Sequence, residues 1–122
     1  MIYLELLCRG NMNLKELSEK LELEEDEFLE LVRLFVETGS SDLNELQSAI
    51  GDKDAQKVAR VAHSMKGAAV ILGLAEIFES ANKMEMNARA NDLEGVTGAL
   101  RSVKEELDRI AKDLNKKVKS KN

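Results

Sequence analysis

Asp54-Ala55-Gln56-Lys57-Val58-Ala59-Arg60-Val61-Ala62-His63-Ser64-Met65-Lys66-Gly67-Ala68-Ala69-Val70-Ile71-Leu72-Gly73 is the stretch that decides the fold. Val58, Val61, Ala62, Met65, Ala69 and Leu72 recur every three or four residues, which gathers them on one side of an α-helix. Gly73 follows the last of them, where a residue of left-handed conformation commonly ends a helix. A strand would need alternation with period two, and the stretch has none.

The same period continues in both directions. Downstream, Leu74, Ile77, Phe78, Ala81, Met84 and Ala88 form a second stripe that breaks at Asn91-Asp92. A long third stripe follows with Leu93, Val96, Leu100, Val103, Leu107, Ile110 and Leu114, and the basic end from Lys116 to Asn122 is expected to fray. Upstream, Leu43, Leu46 and Ile50 read as a helix capped by Ser41 or Asp42 and closed by Gly51. Before it lies a segment entered through the acidic run Glu24 to Glu27, with Phe28, Leu31, Val32 and Phe35 facing inward. Thr38-Gly39-Ser40-Ser41 is expected to end that segment. Earlier still, Asn13 can cap a short helix with Glu16 in the capping-box position and Leu14, Leu17 and Leu21 as its stripe.

Short connections make neighbouring helices antiparallel. The last four segments therefore predict an all-α fold, an antiparallel up-down-up-down four-helix bundle with one or two extra short N-terminal helices covering one end. Residues 1–24 are assigned to an N-terminal extension and short helix, and residues 25–119 to the bundle. Met1 or Met12 followed promptly by helix favours a free-standing protein.

Composition agrees. The chain has 122 residues, enough for one domain, with no proline and 3% aromatic residues, which disfavours a turn-rich β-sandwich or barrel. Its formal charge of −5 disfavours general binding to nucleic acid or anionic lipid. The charge is uneven: residues 1–100 hold 10 basic against 19 acidic side chains, whereas residues 101–122 hold 8 against 4. That basic end reads as a solvated helix terminus, favourable against the helix dipole. Cys8 is the one cysteine, so no internal disulfide forms, and with a single histidine no zinc site can be built. The opening residues lack the basic start and long apolar run of a signal peptide, and no stretch is long enough to span a bilayer. A monomer in the cytoplasm is expected.

His63 is the only histidine. At 100° per residue it points about 140° away from the centre of its helix's apolar stripe, so it faces solvent or a partner rather than the core. Taken alone, an outward histidine is most often incidental. Lys66 and Gly67, three and four positions on, share its face. A lysine there can offer charge to an anion on the ring, and a glycine removes the side chain that would crowd it. Glycine within a helix costs about 1 kcal/mol relative to alanine, which suits a place where close approach is wanted.

These residues carry a resemblance. Ala62-His63-Ser64-Met65-Lys66-Gly67-Ala68-Ala69, with Leu72-Gly73 following, resembles the H-x-x-K-G-[SA] signature of histidine-containing phosphotransfer (HPt) domains, and the flanking helices fit that layout over about residues 25–115. The resemblance implies a phosphorelay: a receiver domain's aspartyl phosphate donates to the histidine, which passes the group to another receiver. Carried over, His63 is the phosphoacceptor through Nε2, Lys66 balances phosphoryl charge, and Gly67 gives clearance. Ala59, Arg60, Ser64, Val70 and Ile71 are then candidates for the partner-binding face. The implied partners are response-regulator receivers and a hybrid histidine kinase. No cofactor or metal is expected on this chain, the catalytic Mg²⁺ being implied on the receiver. The sequence departs from the pattern at Val70 and Ile71, where members often carry a glycine and a small polar residue; the added bulk bears on partner choice.

No glycine-rich nucleotide loop is present, and the proline that typically follows the histidine of kinase dimerisation helices is missing, so a self-phosphorylating kinase is disfavoured. Nothing brings Cys8 and His63 together as a nucleophile pair. The competing reading is a helical adaptor or inhibitory module that keeps the fold without phosphate chemistry.

Overall fold

The computed structural model describes residues 24–120. Four helices follow one another: α1 (Glu25–Gly51), α2 (Ala55–Leu72), α3 (Ala75–Arg89) and α4 (Leu93–Ser120), with no strand among the described residues. Each of α1 and α3 packs against both α2 and α4, the arrangement of an antiparallel four-helix bundle. The short helix expected at Leu14, Leu17 and Leu21 lies outside the described residues, as does Cys8.

The three connections share one device. At the end of α1 the backbone turns through Lys53 (φ 57°), at the end of α2 through Gly73 (φ 72°), and at the end of α3 through Asn91 (φ 59°). In each case the next residue's N–H reaches back over the turn, Asp54 to Ala49 O at 2.8 Å, Leu74 to Ala69 O at 2.9 Å and Asp92 to Asn87 O at 2.8 Å. This closing bond satisfies a carbonyl that the helix end would leave bare. Asp54 and Asp92 then start the next helix, their carboxylates accepting from the N–H groups of Lys57 and Gly95. Chain reversal within two or three residues forces the antiparallel order.

Several sequence expectations fail here. Thr38-Gly39-Ser40-Ser41 does not end a helix; α1 runs through it unbroken, so the two segments read as separate are a single 27-residue helix and the first member of the bundle. Neither Ser41 nor Asp42 caps anything. Gly39 is buried, and a Cβ built on it would lie 3.0 Å from Leu107 Cδ1 and 3.2 Å from Cδ2. The glycine is there to let α4 approach, and its packing outweighs the weak helix propensity that made it look like a terminus. Ser40 donates its hydroxyl to Val36 O at 3.0 Å, bonding back along the helix instead of capping a new one. The inward face also differs from the expected one. Phe28, Leu29, Val32, Phe35, Leu46 and Ala49 are buried, whereas Leu31, expected inward, is 41% exposed. At the far end α4 continues to Ser120, past Lys116 where fraying was expected.

Phe28, Val32, Leu46, Val58, Met65, Ile77, Met84, Val96 and Val103 fill the centre. On α2 the core positions Ala62 and Ala69 are fully buried and small, which brings α3 close beneath the outward face that carries His63.

Candidate functional site

The structure places one charged side chain in the interior among the described residues: Glu85 on α3, 5% exposed. It occupies a core position. Ala81, Met84 and Ala88, four before, one before and three after, are all buried on the same helix. A carboxylate taken out of water at such a place requires partners, and three cationic or hydrogen-bonding groups supply them. His63 Nδ1 lies 3.0 Å from Oε2. Arg89, one turn on, donates to the same oxygen through Nη2 at 2.7 Å and Nε at 3.1 Å. Lys66 Nζ sits 2.7 Å from Oε1, an ionic contact rather than a well-aligned hydrogen bond, and donates to Asn82 Oδ1 at 3.3 Å. The Lys66 ammonium foremost, then Arg89 and His63, holds the Glu85 carboxyl down to about 2 against the opposing effect of burial.

An ionised carboxylate only accepts hydrogen bonds. The ring proton of a neutral His63 is therefore assigned to Nδ1, donated to Glu85, which leaves the lone pair on Nε2. The imidazole is 65% exposed, so that nitrogen belongs to the outer side of the ring. Here a buried anion orients a surface imidazole.

Gly67 stands one turn from His63, exposed, and a Cβ added to it would meet nothing within 4 Å. Packing within the chain does not require glycine there, in contrast to Gly39. What the glycine keeps clear is space outside the protein. Replacing it with glutamine is expected to leave stability unchanged or raise it by the helix-propensity gain of up to about 1 kcal/mol, so the melting temperature does not fall. If the adjacent histidine accepts phosphate, that transfer should slow in the same protein; thermal melts and transfer kinetics on one preparation check both signs.

The structure brings His63, Lys66 and Gly67 together. Lys66 is not a free surface cation: its side chain is 23% exposed and its ammonium is held by Glu85 and Asn82. Of the residues expected on a partner-binding face, Arg60, Ser64 and Ile71 are exposed and Val70 is half-buried. Ala59 is 6% exposed and belongs to the core, so a partner would meet it only as the floor of the cleft it lines. No group of three or more histidine, cysteine, aspartate or glutamate side chains suited to a metal occurs among the described residues. No described helix is long and apolar enough to cross a membrane. Glu85, Arg89 and Asn82 were missed at the level of sequence. A glutamate in register with Ala81, Met84 and Ala88 was the available signal.

An outward histidine on a bundle helix, with a lysine and a glycine on the next turn, matches a known family: the family model for the Hpt domain matches residues 30–113. The chain belongs to the Hpt domain family. The match takes in His63, Lys66, Gly67 and Glu85. Comparison with curated proteins gave no match, and neither did comparison with solved structures. Hpt domains are phosphocarriers rather than classical enzymes; they serve histidine phosphotransfer in two-component signalling, with receiver domains and kinases as partners.

Proposed function

We propose that this chain is a histidine phosphocarrier in which His63 takes a phosphoryl group from the aspartyl phosphate of one receiver domain and passes it to the aspartate of another. In the forward step the Nε2 lone pair forms a bond to phosphorus. The bond from phosphorus to the aspartate oxygen breaks, and the carboxylate departs with the electron pair. The ring gains positive charge while its Nδ1 proton is shared with Glu85, 3.0 Å away, and that charge is stabilised where it develops. Transfer onward reverses these events. Lys66 lies within reach of the new phosphate if its ammonium swings out from Glu85 Oε1. The Mg²⁺ such a transfer uses is assigned to the receiver. A hybrid histidine kinase is the upstream source of phosphate, and the carrier acts as a monomer in the cytoplasm.

The observation that carries this reading is the pairing of Nδ1 with a buried carboxylate on a histidine whose side chain is 65% exposed. An incidental surface histidine has no need of that pairing. The test is to mix the protein with receiver domains charged by acetyl phosphate. The expected product is a phosphoprotein stable to base and labile to acid. If no receiver, and no small donor such as phosphoramidate, gives that product, the chain is instead a helical adaptor.

A further inference from the structure

On α2, Gln56, Arg60, His63, Gly67, Val70 and Ile71 fall within an arc of about 100° around the helix axis. The two ends of this strip differ in character. About 12 Å beyond His63 along the axis, Ile71 is 68% exposed. About 4.5 Å before it, Arg60 is exposed and makes no ion pair among the described residues. Arg60 and Arg89 line an open cleft between the first half of α2 and the end of α3, with Ala59 and Ala88 as its floor and Asn91 at its rim. Asp54 also borders the cleft, with its carboxylate already accepting from the Lys57 N–H at 3.1 Å.

Charge sharpens the contrast. Lys66 and Arg89 bring two positive charges to the single negative charge of Glu85, so the histidine's surroundings keep one in excess. Arg60 adds another at the surface, and the Asp54 carboxylate on the cleft's border offsets one, which leaves a single positive charge in excess. The chain as a whole carries −5, so this end of the strip reverses the sign of the molecule. A partner approaching His63 meets cations on one side and an apolar step on the other.

We propose that Arg60, with Arg89 beside it, selects the receiver domain by charge: the cleft receives an acidic side chain at the rim of the partner's phosphorylation site, while Ile71 takes an apolar one on the opposite rim. The inference rests on the carrier reading above and deepens it. A face with unlike ends fixes which way round the partner sits, and so aims its aspartyl phosphate along the line of Nε2. It also turns away receivers with a basic rim, since burying like charges together is costly. Arg60 acts on the encounter and does not touch the reacting atoms.

Charges at the rim of an interface act chiefly on association and on its salt dependence. The fastest donor in a panel of acetyl-phosphate-charged receivers is the probe. Against it, the second-order rate constant for transfer is expected to fall roughly threefold in Arg60→Gln and roughly tenfold or more in Arg60→Glu, while Arg60→Lys, which keeps the charge, loses less than Arg60→Gln. Added salt should slow the wild type and Arg60→Lys, and slow Arg60→Gln less. Circular dichroism should show all three variants folded, Arg60 being exposed. If Arg60→Gln and Arg60→Glu transfer at the wild-type rate with the wild-type salt dependence, charge selection is wrong and the carrier reading stands. A wild-type chain that accepts from no receiver overturns the carrier reading, and this inference with it.

Discussion

A His63→Gln protein is expected to take up no acid-labile phosphate from any charged receiver and to melt within a few degrees of the wild type. The first half follows from chemistry. His63 is the only histidine, so no other imidazole can form a phosphorus–nitrogen bond of the same kind. A glutamine amide has no lone pair of comparable nucleophilicity. The second half follows from exposure. The His63 side chain is 65% exposed, and Glu85 keeps both Lys66 and Arg89 when the ring is gone. A contact of that kind at a surface is worth about 0–1 kcal/mol. In a domain of this size each kcal/mol moves the melting temperature by roughly 4–8 °C. Phosphate uptake by the variant would remove His63 from its role. Unfolding of the variant would show that the histidine serves the fold.

The two glycines of this chain show how much the sequence could reveal. Gly67 and Gly39 look alike in sequence, each a glycine inside an apolar period, and they were read in opposite ways. The outward position of Gly67 was legible, because helical spacing places it about 40° from His63. Gly39 reads as a helix end in sequence because Ser40 and Ser41 follow it, and only the approach of Leu107 from α4 explains it. That contact joins residues 68 positions apart, and no local pattern reports it. Leu31 fits the local helical period but is 41% exposed, because α1 turns Phe28, Val32 and Phe35 to the core and leaves Leu31 at the edge of that face. The site divides in the same way. His63, Lys66 and Gly67 lie within one turn of one another, and local spacing groups them. Glu85 comes from the next helix, and its pairing with His63 forms only once α2 and α3 pack together.

Glu85→Gln is expected to slow phosphotransfer and to alter the acid stability of the fold, and the two effects have one origin. Glutamine keeps the shape and can still accept from Nδ1, but it removes the negative charge that stabilises a ring becoming cationic. A hydrogen bond to a charged group is worth roughly 1.5–3 kcal/mol, so where the ring's charge develops only in the transition state a transfer rate lowered roughly 10- to 100-fold is expected. The stability effect has a defined pH window. In the folded protein the Glu85 carboxyl is held at about 2, against an ordinary value of 4.5. As pH falls, the unfolded chain takes up the proton first, so the charge stabilises the fold fully above about 4.5. That contribution drains away between there and about 2, and is gone below. Over this window it amounts to no more than about 3 kcal/mol. Urea unfolding from pH 7 to pH 2 should therefore show Glu85→Gln less stable than the wild type at neutral pH, with the two converging as the solution is acidified. Parallel curves would mean that the carboxylate's partners contribute nothing net to the fold. A wild-type transfer rate in the variant would mean that Nδ1 needs only an acceptor, and that the charge behind His63 plays no part in its reactivity.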